Sequence, residues 1–275
     1  DTRVYVDIVI AEDKLKGAKV SDKIQVQLNP WTDPTKNPTG EVLLVIGSKG
    51  DNSAEIHSIV LEKGFDIAFP SEVTAEAENI KANSKADMAA ELKVRRDIRE
   101  TLTVTIDPVD AKDFDDAISY REISETELEV GVHIADVSHY VVPGTALDKE
   151  ALKRATSVYL VDRTIPMLPE VLSNDLCSLN PNEDKLAFSA IFILNPKTAE
   201  VKERWFGRTV INSNRRFTYE DAEAGIDSGK GDHAIELQTL NSIAKILQKK
   251  TLEEGAIDFD QEEVRFKLDA NGKPL

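Results

Sequence analysis

Apolar side chains recur at every second position near the N-terminus: Val4, Val6, Ile8 and Ile10 alternate with Tyr5, Asp7 and Val9. That period predicts a strand. Ile24, Val26 and Leu28 predict a second strand after the turn at Ser21-Asp22. Residues 41–46 predict a third beyond a proline- and asparagine-rich loop. Short strands at this spacing predict a small antiparallel barrel, although the period does not separate an OB-fold from other small barrels. Between Phe69 and Met88, Ala, Glu, Asn, Ser and Lys take over behind Pro70. This predicts a domain boundary near residue 80, with short helices in the connection.

Beyond the boundary, Leu102, Val104 and Ile106 predict a strand ending at Asp107. Leu128, Val130, Val132 and Ile134 predict another ending at Asp136. Leu147, Ala151, Leu152 and Ala155 share one helical face after Gly144. Residues 187–194 and 201–206 read as adjacent strands joined through Asn195-Pro196-Lys197. Thr218 and Asp221 mark the start of a short helix. Ile235, Leu240, Ile243 and Leu247 mark a longer one that stops before Gly255. The expected class is an all-β module over residues 1–80 followed by an α+β domain over residues 81–275, without internal repeats.

Apolar residues make up 41% of the chain, enough for a substantial core. No apolar run is long enough to span a bilayer and no signal segment opens the chain. A soluble, cytoplasmic protein with no membrane partner is expected. The single cysteine, Cys177, lies in an apolar stretch and reads as a buried structural thiol. The net charge of −16, from 34 basic against 50 acidic residues, argues against a protein that coats nucleic acid non-specifically. It is compatible with a local basic channel leading to a carboxylate-rich, metal-filled site.

Such a cluster stands in TIDPVDAKDFDDA, residues 105–117, which carries Asp107, Asp110, Asp113, Asp115 and Asp116. A charge run is usually a solvated loop. Here it follows directly on an apolar strand, contains Phe114, and gives way at once to Ala117 and Ile118. Carboxylates held between buried flanks repel one another unless cations neutralise them. An oxygen-rich set suits Mg²⁺, which takes a few carboxylates and completes its shell with water and substrate phosphate. Two metals about 4 Å apart would serve an in-line phosphodiester displacement. Asp107 at a strand end suits a bridging ligand. In an extended segment Asp113 and Asp115 share a side and Asp116 faces away, so the loop must bend to gather them. An EF-hand fails, because no glycine follows at the required position. His57, His133, His139 and His233 show no zinc-ligand spacing with Cys177, and no glycine-rich phosphate loop is present. Another phosphoryl-transfer site stays open on the Asp-x-Asp alone.

At this segment the sequence resembles the RNB-family 3′→5′ exoribonucleases of the ribonuclease R and II type. RRDIR (residues 95–99) leads into TIDPVDAKDFDDAIS. VGVHIADVSHYV (130–141), SVYLVDRTIPMLPEVLSNDLCSLNP (157–181) and INSNRRFTYEDA (211–222) follow at the family's distances. HIADVSHYV is nearer ribonuclease R. Upstream, DKLKGAKVSDK and KNPTGEVLLVIG look like the second cold-shock OB domain of these proteins. The resemblance implies an OB-fold cold-shock barrel followed by an α+β RNB catalytic domain, truncated at its C-terminal side. It further implies a processive, Mg²⁺-dependent hydrolase acting on single-stranded RNA and releasing 5′-nucleoside monophosphates. By motif, Asp107, Asp113, Asp115 and Asp116 would be the catalytic, metal-binding aspartates. Tyr159 would stack on the 3′-terminal nucleotide and Phe266 would clamp it from the other face.

Plainer roles stand beside these. Tyr159 lies in an apolar run, Phe266 alternates with Val264 and Leu268, and His133 ends an apolar strand, so each also reads as core. Arg95, Arg96, Arg99, Arg215 and Arg216 read equally as phosphate contacts or as a solvated face. In the family, the catalytic domain continues past the point matched by Leu275 and supplies an arginine and a glutamate, and an S1 domain follows. The resemblance therefore implies an inactive piece with apolar surface left exposed or covered by self-association. The rival readings are a phosphodiesterase acting on DNA and a non-catalytic RNA-binding scaffold.

Overall fold

The computed structural model describes residues 5–257 and Asp269. The chain divides into two compact units, with the break between Phe69 and Pro70. The first unit comprises the described residues up to Phe69 together with Tyr159–Ile165. The second comprises Pro70–Val158 and residues 166–257, and Asp269 belongs to the first.

In the first unit, β1 (Val9–Ile10), β2 (Asp22–Leu28) and β3 (Thr39–Ser48) form a sheet in the order β1-β3-β2. β2 and β3 pair antiparallel, with irregularities between Lys23 and Ile24 and between Gln25 and Val26. β1 pairs with β3 in parallel, Val9 opposite Thr39. The expectation of a purely antiparallel barrel is corrected on this point. A period of two tells which residues share a face, but not which strand becomes the neighbour. The first strand is shorter than its alternation suggests, and Tyr5 and Val6 are exposed. The helix α1 (Asn52–Glu62) was not expected. Asp51 caps it by accepting from Ala54 N at 2.9 Å, and Lys23 ion-pairs with Glu55 to tie it to β2.

The second unit opens with α2 (Ser71–Glu91), one continuous 21-residue helix where short helices were expected. Residue 80 lies inside it. The Ala-, Glu- and Lys-rich composition that looked like a connection is strong helix former. Only Val73 and Ala77 are buried on α2, which is why no apolar period showed. Next come β4 (Arg96–Asp97), β5 (Leu102–Asp107), β6 (Asp116–Ser124), β7 (Glu127–Ala135), α3 (Val137–Tyr140) and α4 (Ala146–Arg154). The short strands β8 (Val158–Tyr159) and β9 (Thr164–Ile165), which from Tyr159 on belong to the first unit, pair with each other. A π-turn at Leu172–Leu176 precedes β10 (Asp184–Leu194), β11 (Val201–Asn212), β12 (Arg215–Thr218), α5 (Tyr219–Ser228) and α6 (Ala234–Glu253).

Seven strands of this unit form one mixed sheet, ordered β12-β5-β6-β7-β10-β11-β4. The inner pairs are antiparallel, and β12 on β5 and β4 on β11 are parallel. On one face Leu128, Val130 and Leu194 pack against Ile243 of α6, and Val104 and Phe217 pack with Ala222 and Leu237. Farther along the same face, Val132, Ile134, Phe188 and Phe206 are exposed neighbours. The opposite face holds a buried polar row. His133 Nδ1 lies 2.6 Å from Ser189 Oγ, which lies 2.5 Å from Thr209 Oγ1. Burial pushes the His133 pKa down to about 4, so the ring is neutral at pH 7 and fits the core reading. Gly131 makes room for it: a Cβ there would stand 2.4 Å from Ser119 Oγ and 2.6 Å from the His133 ring.

Candidate active site

The β5–β6 ladder pairs Leu102 with Tyr120 and Val104 with Ile118, and goes no further toward the loop. Asp107 ends one strand and Asp116 begins the other, so residues 108–115 bulge out between them. Backbone hydrogen bonds pin this loop from outside. Phe114 N donates to Ser178 Oγ at 2.9 Å, and Leu179 N donates to Phe114 O at 2.8 Å. Ala135 N donates to Asp115 O at 2.9 Å, and Asp116 pairs with Ile134 of β7. The segment SNDLCSLNP therefore acts as a buttress for the aspartates, a role no motif in the sequence announced. Cys177 sits within it, buried, its thiol pushed up to about 12 chiefly by that burial; it is not an activated nucleophile.

Asp107 is buried and its Oδ2 has no hydrogen-bond partner. Burial is the largest influence and raises its pKa, Asp116 and Asp113 raise it further, and Thr105 and Arg216 oppose them. The Thr105 hydroxyl lies near enough to ease the charge without completing a hydrogen bond. Asp115 is exposed by surface area, yet the protein beside its carboxylate is the largest influence raising its pKa, followed by the fields of Asp113, Asp116 and Asp107. The four aspartates thus share one field. They do not close into a cage. Among the described residues, the group of three whose ligand atoms lie within 4.8 Å of one another is Asp87, Glu91 and His139. Those three are already engaged: His139 Nε2 is 2.6 Å from Asp87 Oδ2, and Arg95 Nε is 2.5 Å from Glu91 Oε2.

An unpartnered, buried carboxylate oxygen in the field of neighbouring carboxylates is costly by itself. A hard divalent cation with oxygen ligands is the group that would remove that cost, so the residues present fit one.

The arginines resolve into different roles. Arg95 is buried against Asp136, with Nη1 2.7 Å from Oδ2. Arg96 pairs with Glu129 and stacks on Trp205. Arg99 bridges Asp97 and Asp184. Arg215 pairs with Asp232. Arg216 reaches into the aspartate loop, where Nη2 donates to Pro108 O. Tyr159 stands in β8, 69% exposed, within the first unit. An exposure of that size is not that of a core side chain. Phe266 lies outside the described residues.

A small β-module and a mixed sheet that carries a buttressed aspartate loop are the two parts of the chain. Comparison with known families identifies both. Residues 95–275 match the RNB domain and residues 1–70 match the cold shock domain. The chain belongs to the RNB family, with a cold-shock OB domain followed by an RNB domain of mixed sheet and helices. It is 38% identical over 265 residues to the DIS3-like exonuclease 2 of Schizosaccharomyces pombe, covering 90% of this chain and 28% of that protein. In structure it is similar to Mycoplasma genitalium RNase R in complex with double-stranded RNA, with TM-score 0.82 and 26% identity over 98% of this chain and 48% of that one. The fold is shared also by yeast Ssd1, a pseudonuclease, with TM-score 0.64 and 19% identity over 90% of this chain and 31% of that one. No helix among the described residues is long and apolar enough to cross a membrane.

Proposed function

We propose that the whole protein carrying this chain is a processive, Mg²⁺-dependent 3′→5′ exoribonuclease that hydrolyses single-stranded RNA to 5′-nucleoside monophosphates. The observation that carries the reading is the buried Asp107 carboxylate, one oxygen unpartnered, in the shared field of Asp113, Asp115 and Asp116. These four residues would hold two Mg²⁺ ions. When bound, the pair supplies an activated water and stabilises the leaving oxygen of an in-line displacement. The chain's own contribution is placement. The Ala135 amide and the Ser178–Leu179 pair fix Asp115 and Phe114 by their backbones. Tyr159 offers an exposed ring on which a terminal base can stack, and Phe266 would meet the other face of that base.

A non-catalytic RNA-binding scaffold is the second reading, because the same fold serves a protein described as a pseudonuclease. The aspartates favour the enzyme, since a scaffold gains nothing from their repulsion. We infer further that the 275-residue chain alone has little activity, and that it self-associates through the exposed Val132, Ile134, Phe188 and Phe206 face. The test uses the whole protein with Mg²⁺ and 5′-labelled RNA, 3′-blocked RNA and DNA. Mononucleotides from the free RNA alone support the exoribonuclease. Cleavage of DNA at equal rate supports the phosphodiesterase, and binding without cleavage supports the scaffold.

A further inference from the structure

Arg216 faces Thr105 across the parallel β12–β5 ladder, and Asp107 lies two residues on from Thr105 on the same face of β5. Its guanidinium makes two contacts. Nη2 donates to the carbonyl of Pro108, the residue immediately after Asp107. The carbon of the same group lies 5.6 Å from the centre of the Phe114 ring, between Asp113 and Asp115. The two contacts fall at opposite ends of the aspartate loop. Phe114 is also held through its backbone by Ser178 and Leu179. The guanidinium and this buttress therefore both hold the loop.

The polar atoms around this point are not satisfied. Arg216 Nε, Thr105 Oγ1 and Asp107 Oδ2 are each buried without a hydrogen-bond partner. Three unmet groups beside one strand end would be a poor arrangement for stability alone. They are what a loop looks like when it is held open against its own charge, with one fixed cation at its base. A flat guanidinium can stack on a ring and donate in its own plane at once, and an ammonium cannot. Arg216 gives Nη2 to a backbone carbonyl and sets its guanidinium carbon over an aromatic ring of the loop. A phosphate contact would have to compete with Pro108 for Nη2.

We propose that Arg216 is a positioning residue: by clasping Pro108 and Phe114 it sets the span of the loop, and so the spacing at which Asp107, Asp113, Asp115 and Asp116 take divalent cations. It acts through the loop and touches neither RNA nor metal. The inference rests on the reading of the aspartates as a metal site.

The test is Mn²⁺ binding followed by electron paramagnetic resonance on the whole protein without RNA, beside RNA affinity against salt and the thermal midpoint. Arg216→Met keeps the aliphatic stem and removes the clasp. Its Mn²⁺ dissociation constant is expected to rise roughly 10–100-fold, the usual effect of losing a group that orients metal ligands. RNA affinity and its salt slope are expected to stay unchanged. Arg216→Lys is expected to recover only part of the Mn²⁺ affinity. Phe114→Leu, which leaves the arginine in place, is expected to weaken Mn²⁺ in the same direction, and it carries the test should Arg216→Met fail to fold. Unchanged Mn²⁺ affinity with a lowered thermal midpoint would make Arg216 an ordinary structural residue and overturn the proposal. Weaker RNA binding, with a salt slope reduced by about one and Mn²⁺ affinity intact, would make it a phosphate contact and overturn it equally. Asp107→Asn in the Arg216 background separates the two layers. If that change leaves Mn²⁺ binding unaltered, the metal-site reading itself fails, whatever Arg216 does.

Discussion

Removing the guanidinium of Arg95 leaves the Asp136 carboxylate buried without its nearest cation. The two side chains are 1% and 2% exposed and meet at 2.7 Å. Truncating one member of such a pair costs about 3–5 kcal/mol, because the remaining charge stays buried. The surroundings decide where in that range Arg95→Met falls. Ser138 still donates to Asp136 Oδ1 at 2.7 Å, and Arg208 remains 3.6 Å from Oδ2. Arg95 Nη2 is itself buried without a partner, so the wild-type pair is not fully satisfied. These features place the loss near the lower end, about 3 kcal/mol. Two tryptophans make the assay selective: Trp31 lies in the first unit and Trp205 in β11 of the second. In a Trp31→Phe background, fluorescence during urea unfolding reports the second unit alone. A loss of that size is expected to move its midpoint by roughly 1 M or more. The pH dependence should change as well. Burial pushes the Asp136 pKa up, but Ser138, Arg95 and Arg208 together hold it below its ordinary value. A depressed carboxylate contributes stability above its unfolded pKa and loses it as pH falls through the folded one. Without Arg95, burial gains ground, so the variant is expected to lose stability at a higher pH than wild type during acid titration. An unchanged midpoint and an unchanged acid limb would refute the reasoning.

Other perturbations have equally definite outcomes. Gly131→Ala forces a methyl group against Ser119 Oγ and the His133 ring; the second unit is expected to lose about 1–3 kcal/mol, and an unaffected Trp205 transition would contradict the close approach. Tyr159→Ala in the whole protein removes a stacking platform that contributes about 1–3 kcal/mol per base, so digestion is expected to stop at a longer final fragment. An unchanged end product would deny Tyr159 the stacking role. Cys177, with its thiol raised to about 12, is expected to resist maleimide at neutral pH until the second unit unfolds, and rapid labelling of the folded chain would count against its burial.

Most of the second unit could be read in the chain because its strands alternate cleanly and end on the residues that matter. The period through Leu102, Val104 and Ile106 stops at Asp107, and that through Leu128, Val130, Val132 and Ile134 stops beside Asp136. Thr218 caps α5 through Asp221 N as the pattern suggested. Where burial is thin the reading failed. α2 hides only Val73 and Ala77, so its composition resembled a linker. In the first unit, the parallel placement of β1 depends on strand neighbours that no local pattern encodes. The aspartate set was visible as a motif, whereas its supports were not. Ser178 lies 64 residues from its partner Phe114, and Arg216 lies 108 from Pro108. Contacts of that separation leave no periodic trace. The arginines that looked alike in sequence parted only once their partners were known.

The most direct test of the account is Asp115→Asn in the whole protein, assayed with 5′-labelled single-stranded RNA and saturating Mg²⁺. The amide keeps the shape of the side chain and its Ala135-anchored backbone, but it takes away one of the charges that Asp107, Asp113 and Asp116 now crowd. Release of mononucleotides is expected to cease while RNA is bound as tightly as by wild type. Undiminished turnover would show that the aspartate loop is not the seat of the chemistry.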